Sequence, residues 1–177
     1  MRTSTAAAGS AAFFVLAPGT VVGLVPWLIT GWKMPASGPV WRAVQVLGAL
    51  LIVAGLIPAV HAFASFAKAG GTPMPIAPTT RLVVNGFNRH VRNPMYAGLL
   101  IAIVGQALVF RSLALLAYAV ALWIVTASFV RWYEEPTLAR KYGSEYETYR
   151  RNVPAWLPRR RPWAPGAAGG STHLGTS

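Results

Sequence analysis

Leu82-Val83-Val84-Asn85-Gly86-Phe87-Asn88-Arg89-His90-Val91-Arg92-Asn93-Pro94-Met95-Tyr96-Ala97-Gly98 leads into two apolar segments, residues 94–110 and 112–133, with only Arg111 between them. Glu134-Glu135-Pro136-Thr137-Leu138 follows, then Tyr142-Gly143-Ser144-Glu145-Tyr146-Glu147-Thr148-Tyr149 and Val153-Pro154-Ala155-Trp156. So short a junction permits only a tight turn between antiparallel helices. Both ends of a hairpin emerge on one membrane face, so the polar motifs that flank this one can meet and build a single site.

Composition sets the medium. Of 177 residues, 54% are hydrophobic and 11% charged, with a mean hydropathy of +0.46. That balance is outside the usual range of soluble domains and points to an integral membrane protein. Residues 10–30 and 40–66 are two further apolar runs. A helix needs about 20 apolar residues to cross a bilayer. The first, second and fourth runs are long enough, while the third is short and must use Arg111 as a snorkelling end. The chain is therefore expected to be an all-α polytopic membrane protein with four transmembrane helices and a C-terminal amphipathic cytoplasmic helical region. Arg2 precedes the first run as in a signal peptide, but the run is long and no A-x-A site follows, so it reads as an uncleaved span.

Charge placement gives an orientation. Lys33 and Arg42 lie between the first two runs, and Lys68, Arg81, Arg89 and Arg92 between the second and third. Arg111 stands alone in the third connection, whereas Arg131, Arg140, Lys141, Arg150, Arg151, Arg159, Arg160 and Arg161 crowd the C-terminal region. The positive-inside rule puts the second loop and both termini in the cytoplasm. Trp27, Trp32, Trp41 and Trp132 sit at run ends, where amphipathic rings prefer the interface. The net charge of +12 then suits anionic membrane lipids as partners, not nucleic acid. Cysteine is absent, which excludes disulfides and thiolate chemistry, and His61, His90 and His173 lack metal-ligand spacing, so no metal is expected.

Three units are expected along the chain. Residues 1–68 form an N-terminal transmembrane hairpin. Residues 69–163 carry a cofactor loop, the second hairpin and the C-terminal catalytic region. Residues 164–177 form a disordered tail rich in small residues. Residues 69–80 are Gly/Pro-rich, either a plain connector or a loop that reaches over a cofactor.

Asn93-Pro94 signals a helix start, with Asn as cap and Pro at the first position. Free N–H groups beside Arg92 suit a carboxylate or phosphate; equally, Arg92 marks the membrane boundary. Tyr96, one turn in, is a belt residue or a ligand contact. Gly98 and Ala102 make a small-xxx-small pair for close helix packing. All four acidic residues fall between positions 134 and 147. Glu134 and Glu135 together at an apolar boundary are either solvated glutamates at a helix stop or a pair held by a cation, supplied by a ligand or by Arg92 or Arg89 across the hairpin base. Pro136 frees a carbonyl near Trp132. Ser144 to Glu147 fits a capping box after a Gly143 break. Leu138, Tyr142, Tyr146, Tyr149 and Val153 recur at helical spacing, a packing stripe on a broken amphipathic helix or the lining of a ligand cleft.

Leu82-Val83, Gly86, Arg92 through Gly98, Glu134-Glu135, Tyr142-Gly143, Glu145-Tyr146, Tyr149 and Val153-Pro154 resemble the isoprenylcysteine carboxyl methyltransferase family, whose broad superfamily includes the membrane phospholipid methyltransferases. The resemblance implies S-adenosyl-L-methionine as methyl donor and a lipophilic methyl acceptor, with the active site on the cytoplasmic face of a bacterial cytoplasmic membrane. It implies cofactor contacts from Thr80, Arg81, Leu82, Val83, Asn88, Asn93, Pro94, Met95, Tyr96 and Glu134. Arg92, Glu134 and Glu135 are the expected catalytic residues. The family pattern has a histidine where Asn93 stands and a tyrosine where Asn88 stands. An arginine tied there to the prenylated substrate falls at Val130, beside Arg131, and these two are the expected substrate positions. Carboxyl O-methylation of an isoprenylcysteine-like acceptor leads, and N-methylation of a phospholipid or lipid amine is second. From other classes, a dinucleotide-dependent membrane reductase of related fold and a non-catalytic membrane protein stay open.

Overall fold

Each of the four apolar runs becomes a helix, and the third lies at the centre. The computed structural model describes residues 16–36, 38–68, 82 and 84–164. The loop of residues 69–80 and the tail from residue 165 lie outside them. Helix α1 is Leu16–Thr30 and contains a π turn over Thr20–Leu24. α2 is Pro39–Lys68, α3 is Pro94–Phe110 and α4 is Leu113–Phe129. A second π turn, Val130–Glu134, joins α4 to α5, Glu135–Tyr142, and α6 is Ser144–Asn152. A 3-10 turn, Gly86–Arg89, precedes α3. No strand occurs among the described residues. Pro39–Ala62 and Leu113–Tyr142 are long and apolar enough to cross a membrane; Leu16–Thr30 and Pro94–Phe110 are shorter apolar helices.

α3 is central because small residues let its neighbours close on it. It packs against α1, α2 and α4. Gly98 and Gly105 of α3 face Gly55 and Gly48 of the antiparallel α2. A Cβ on Gly48 would lie 2.6 Å from the Gly105 carbonyl oxygen, and one on Gly105 2.6 Å from that of Gly48. Gly55 and Gly98 block each other in the same way. Only glycine admits backbones this close, which in an apolar medium is where helix association gains its packing. Of the small pair expected in α3, Gly98 belongs to this reciprocal arrangement and Ala102 lies beside Gly55, while its second member in α3 is Gly105.

Polar side chains tie the remaining helices. Gln106 Nε2 donates to the Val22 carbonyl at 2.8 Å, and the Tyr118 hydroxyl to that of Val21 at 3.1 Å. Both acceptors lie in the π turn of α1, whose widened ladder leaves its carbonyls open to outside donors.

The α3–α4 hairpin turns where the sequence places it. Arg111 takes a left-handed conformation, φ 52°, as the cap of α3, and Ser112 Oγ accepts the Leu115 N–H at 3.2 Å to cap α4. The Arg111 guanidinium rests 4.5 Å from the centroid of the Trp41 ring. At the other end, Pro136 would remove a rung of the ladder. The π turn absorbs this: the Glu135 N–H reaches back to Val130 O, and the helix runs on unbroken to Tyr142.

Two expected caps do not form. Asn93 makes no side-chain cap at α3; its amide is turned to the C-terminal segment instead. Ser144 is the first residue of α6 rather than its cap, and no side chain caps that helix. Gly143 breaks the chain with φ 54° and ψ −129°, a conformation nearly confined to glycine, and its carbonyl accepts the Glu147 N–H. The tyrosine stripe packs: Tyr146, Tyr149 and Val153 are buried with Leu138, Tyr142, Leu82, Val84 and Trp163 around them.

Candidate active site at the hairpin base

The turn Pro136 imposes at the end of α4 brings two consecutive glutamates to the start of α3, and they enter different surroundings. Glu135 is buried, and its Oε1 lies 2.7 Å from Arg92 Nη1. Its Oε2 is 3.6 Å from Arg150 Nε, and Arg150 also approaches Glu147 at 3.8 Å. Arg92 Nη1 makes a long 3.4 Å contact to the Tyr146 hydroxyl. Burial, reinforced by the charge of Glu135, pushes the Tyr146 phenol up to about 12, so it stays protonated. Glu135 is thus a buried carboxylate neutralised by two guanidinium groups. Tyr146 and Arg150 stand four apart on α6 and so share the face that closes the cluster. Burial likewise raises Tyr149, whose hydroxyl donates to the Asn88 carbonyl at 2.7 Å.

Glu134 is half-buried. Its one hydrogen bond among the described residues is a long one, accepted from the Tyr96 hydroxyl at 3.4 Å, and no cation there lies within 4.0 Å of it. Arg89, the other expected partner, donates from Nε to the Trp163 carbonyl at 2.7 Å and pairs with neither glutamate. Pro94, first in α3, leaves Met95 and Tyr96 to supply the helix's leading N–H groups.

Of the other expected site residues, Asn88 is buried in the 3-10 turn and Asn93 is buried with its Nδ2 donating to Ala155 O at 3.1 Å. Pro94 is buried, Met95 is half-buried, and Leu82 packs on the tyrosine cluster. Val130 is buried at the start of the second π turn, and Arg131, next to it, is exposed. Thr80, Arg81 and Val83 lie outside the described residues. No group of three metal-ligating side chains occurs among the described residues. Sequence reasoning did not single out Arg150 and Tyr146 as members of the Glu135 cluster, although their four-residue spacing was available as a signal.

The family of membrane proteins described as phospholipid methyltransferases has a sequence pattern that matches residues 43–145, more than half of the chain. The chain belongs to the phospholipid methyltransferase family. Protein-S-isoprenylcysteine O-methyltransferase B of Arabidopsis thaliana is 34% identical over 79 residues, which cover 44% of this chain and 40% of that protein. The probable protein-S-isoprenylcysteine O-methyltransferases of Oryza sativa subsp. indica and subsp. japonica are each 35% identical over 79 residues, 44% of this chain and 41% of theirs. The chain therefore matches well under half of the length of these relatives. No solved structure matches it. The family match contains Arg92, Tyr96, Glu134 and Glu135 and ends before Tyr146 and Arg150.

Proposed function

We propose that this protein is an S-adenosyl-L-methionine-dependent membrane methyltransferase that methylates the carboxylate of a lipophilic, isoprenylcysteine-like acceptor at the cytoplasmic face. The observation that carries this reading is the unequal pair: Glu135 is held by two guanidinium groups, while Glu134, half-buried at an apolar boundary, has no cation within 4.0 Å among the described residues. A half-buried carboxylate beside a phenol, with no cation within 4.0 Å among the described residues, fits the positively charged end of the cofactor. Bound there, the cofactor supplies an electrophilic methyl group on a sulfonium sulfur.

The chain's own residues then position and screen. Glu134 and Tyr96 hold the cationic end, and Arg92 and Arg150 fix the position of the helix end through Glu135. An acceptor carboxylate is already a nucleophile, so its methylation needs no general base. The new O–CH₃ bond forms as the S–CH₃ bond breaks, and the sulfur keeps the electron pair. Two opposite charges vanish in the step, which a poorly hydrated site favours over water. Val130 and Arg131, one helical turn before Glu134, stand where the acceptor is proposed to bind.

One observation favours N-methylation of a lipid amine instead. A neutral amine nucleophile must shed a proton after attack, and Glu134, with no cation within 4.0 Å among the described residues, is the carboxylate able to take it.

The test uses the purified full chain with methyl-labelled S-adenosyl-L-methionine and either an isoprenylated cysteine or phosphatidylethanolamine. A base-labile methyl ester on the first acceptor is expected. Base-stable label on the second supports N-methylation. Binding of NADPH in place of the methyl donor, or binding of neither, overturns both.

A further inference from the structure

Past its helices the chain continues as a strap, residues 153–163, that the proposed reaction does not use. The strap is stitched to the residues just before α3. Arg92 N–H donates to Pro154 O at 2.9 Å, and Asn93 Nδ2 donates to Ala155 O at 3.1 Å. Arg159 N–H donates to His90 O and Trp163 N–H to Arg89 O, each at 2.9 Å. Each of these last two pairs also has a return bond. His90 Nδ1 lies 2.9 Å from Arg159 O, and Arg89 Nε donates to Trp163 O at 2.7 Å. The strap therefore lies level with the first turn of α3. The end of α4 is at the same level, because Tyr96 meets Glu134 there.

Its outer surface has the opposite character. Leu157 is 80% exposed, and Arg160 and Arg161 are exposed. Among the described residues no carboxylate lies within 4.0 Å of either arginine. Three of the four acids are engaged elsewhere, Glu135 and Glu147 with Arg92 and Arg150 and Glu134 with Tyr96, and the fourth, Glu145, is exposed on α6. Adjacent arginines with no carboxylate within 4.0 Å among the described residues, near an exposed leucine and level with the start of the apolar helix α3, match an anionic lipid surface.

We propose that the strap docks on anionic phospholipid headgroups of the membrane that holds the chain. Arg160 and Arg161 take the phosphates and Leu157 enters the acyl boundary. Docking presses the strap onto residues 89–93 and so steadies Arg92 and Asn93 at the hairpin base. The membrane face is that of the proposed function, but the test needs no turnover and fails separately from it.

The full chain is reconstituted in nanodiscs of phosphatidylcholine alone and of phosphatidylcholine with phosphatidylglycerol. Hydrogen exchange is followed at the amides of Arg92, Arg159 and Trp163. Exchange is expected to be about tenfold slower in the anionic discs. The difference should vanish in Arg160→Gln/Arg161→Gln, survive in Arg160→Lys/Arg161→Lys, and shrink in high salt. Equal exchange of the wild type in both discs overturns the proposal. So does an undiminished difference in the glutamine variant, or slowing that extends equally to Ala102 in mid-α3, a general effect of the bilayer.

Discussion

Helix α3 ends in an arginine on one side and starts after one on the other, and the two are held differently. Arg111 is exposed, lies over the face of Trp41, and has no carboxylate within 4.0 Å among the described residues. Arg92 is drawn inward, shares Glu135 with Arg150, and touches Tyr146. The first arrangement anchors a helix end at an interface, where a long stem and an aromatic face suffice. The second costs desolvation of a charge, which a structure bears only where the geometry compensates it. One end of the hairpin is thus a boundary marker, and the other is the base of the proposed site.

The largest effect should come from breaking the buried end. Arg92→Ala leaves Glu135 with only Arg150 at 3.6 Å and is expected to cost about 3–5 kcal/mol of stability, read from thermal unfolding in detergent. In a double-mutant cycle with Glu135→Gln the losses should overlap and be far from additive; simple additivity would mean that the two groups do not act as a pair.

Between the two ends, Gly98→Ala drives a methyl group into the carbonyl oxygen of Gly55. A loss of about 1–3 kcal/mol is expected from this overpacking, with both helix ends otherwise unchanged. No loss would show that α2 and α3 can separate freely.

Asn93→Ala removes a buried side-chain bond to the strap and should cost about 1 kcal/mol. Asn93→Ser, a good cap in general, should not restore it, because no cap is made there. Rescue by serine would return Asn93 to the helix-start role.

Arg111→Gln is the smallest change, about 0.5–1 kcal/mol through the lost contact with Trp41. An effect as large as that of Arg92→Ala would erase the contrast between the ends.

Much of this was legible before the structure. The four apolar runs, the tight turn at Arg111-Ser112, the Gly143 break and the packing tyrosine stripe follow from run length and helical period, which are local properties. The meeting of the hairpin's flanking motifs followed from topology alone. What local reading missed depended on distant partners. Asn93 and Ser144 have the side chains of caps, but tertiary bonding took the first amide and a glycine break pre-empted the second. Gly48 and Gly55 lie among many apolar residues of α2, and their role shows only when Gly105 and Gly98 face them. Sequence could not assign Arg92 to one of two adjacent glutamates, because a single residue step around a helix, here in a π turn, decides it.

That assignment is the central claim, and one paired measurement tests it. Glu134→Gln and Glu135→Gln are each titrated with S-adenosyl-L-methionine by calorimetry, with their melting temperatures recorded in the same detergent. Glu134→Gln should weaken binding at least tenfold, about 1.4 kcal/mol, with little change in melting, since among the described residues it has only a long bond from Tyr96 and no cation within 4.0 Å. Glu135→Gln should lower the melting temperature the more, because it strips Arg92 of its counter-charge. Unchanged affinity in Glu134→Gln, or the same pair of effects from both substitutions, would contradict the division of the two carboxylates into a ligand-facing and a structural one.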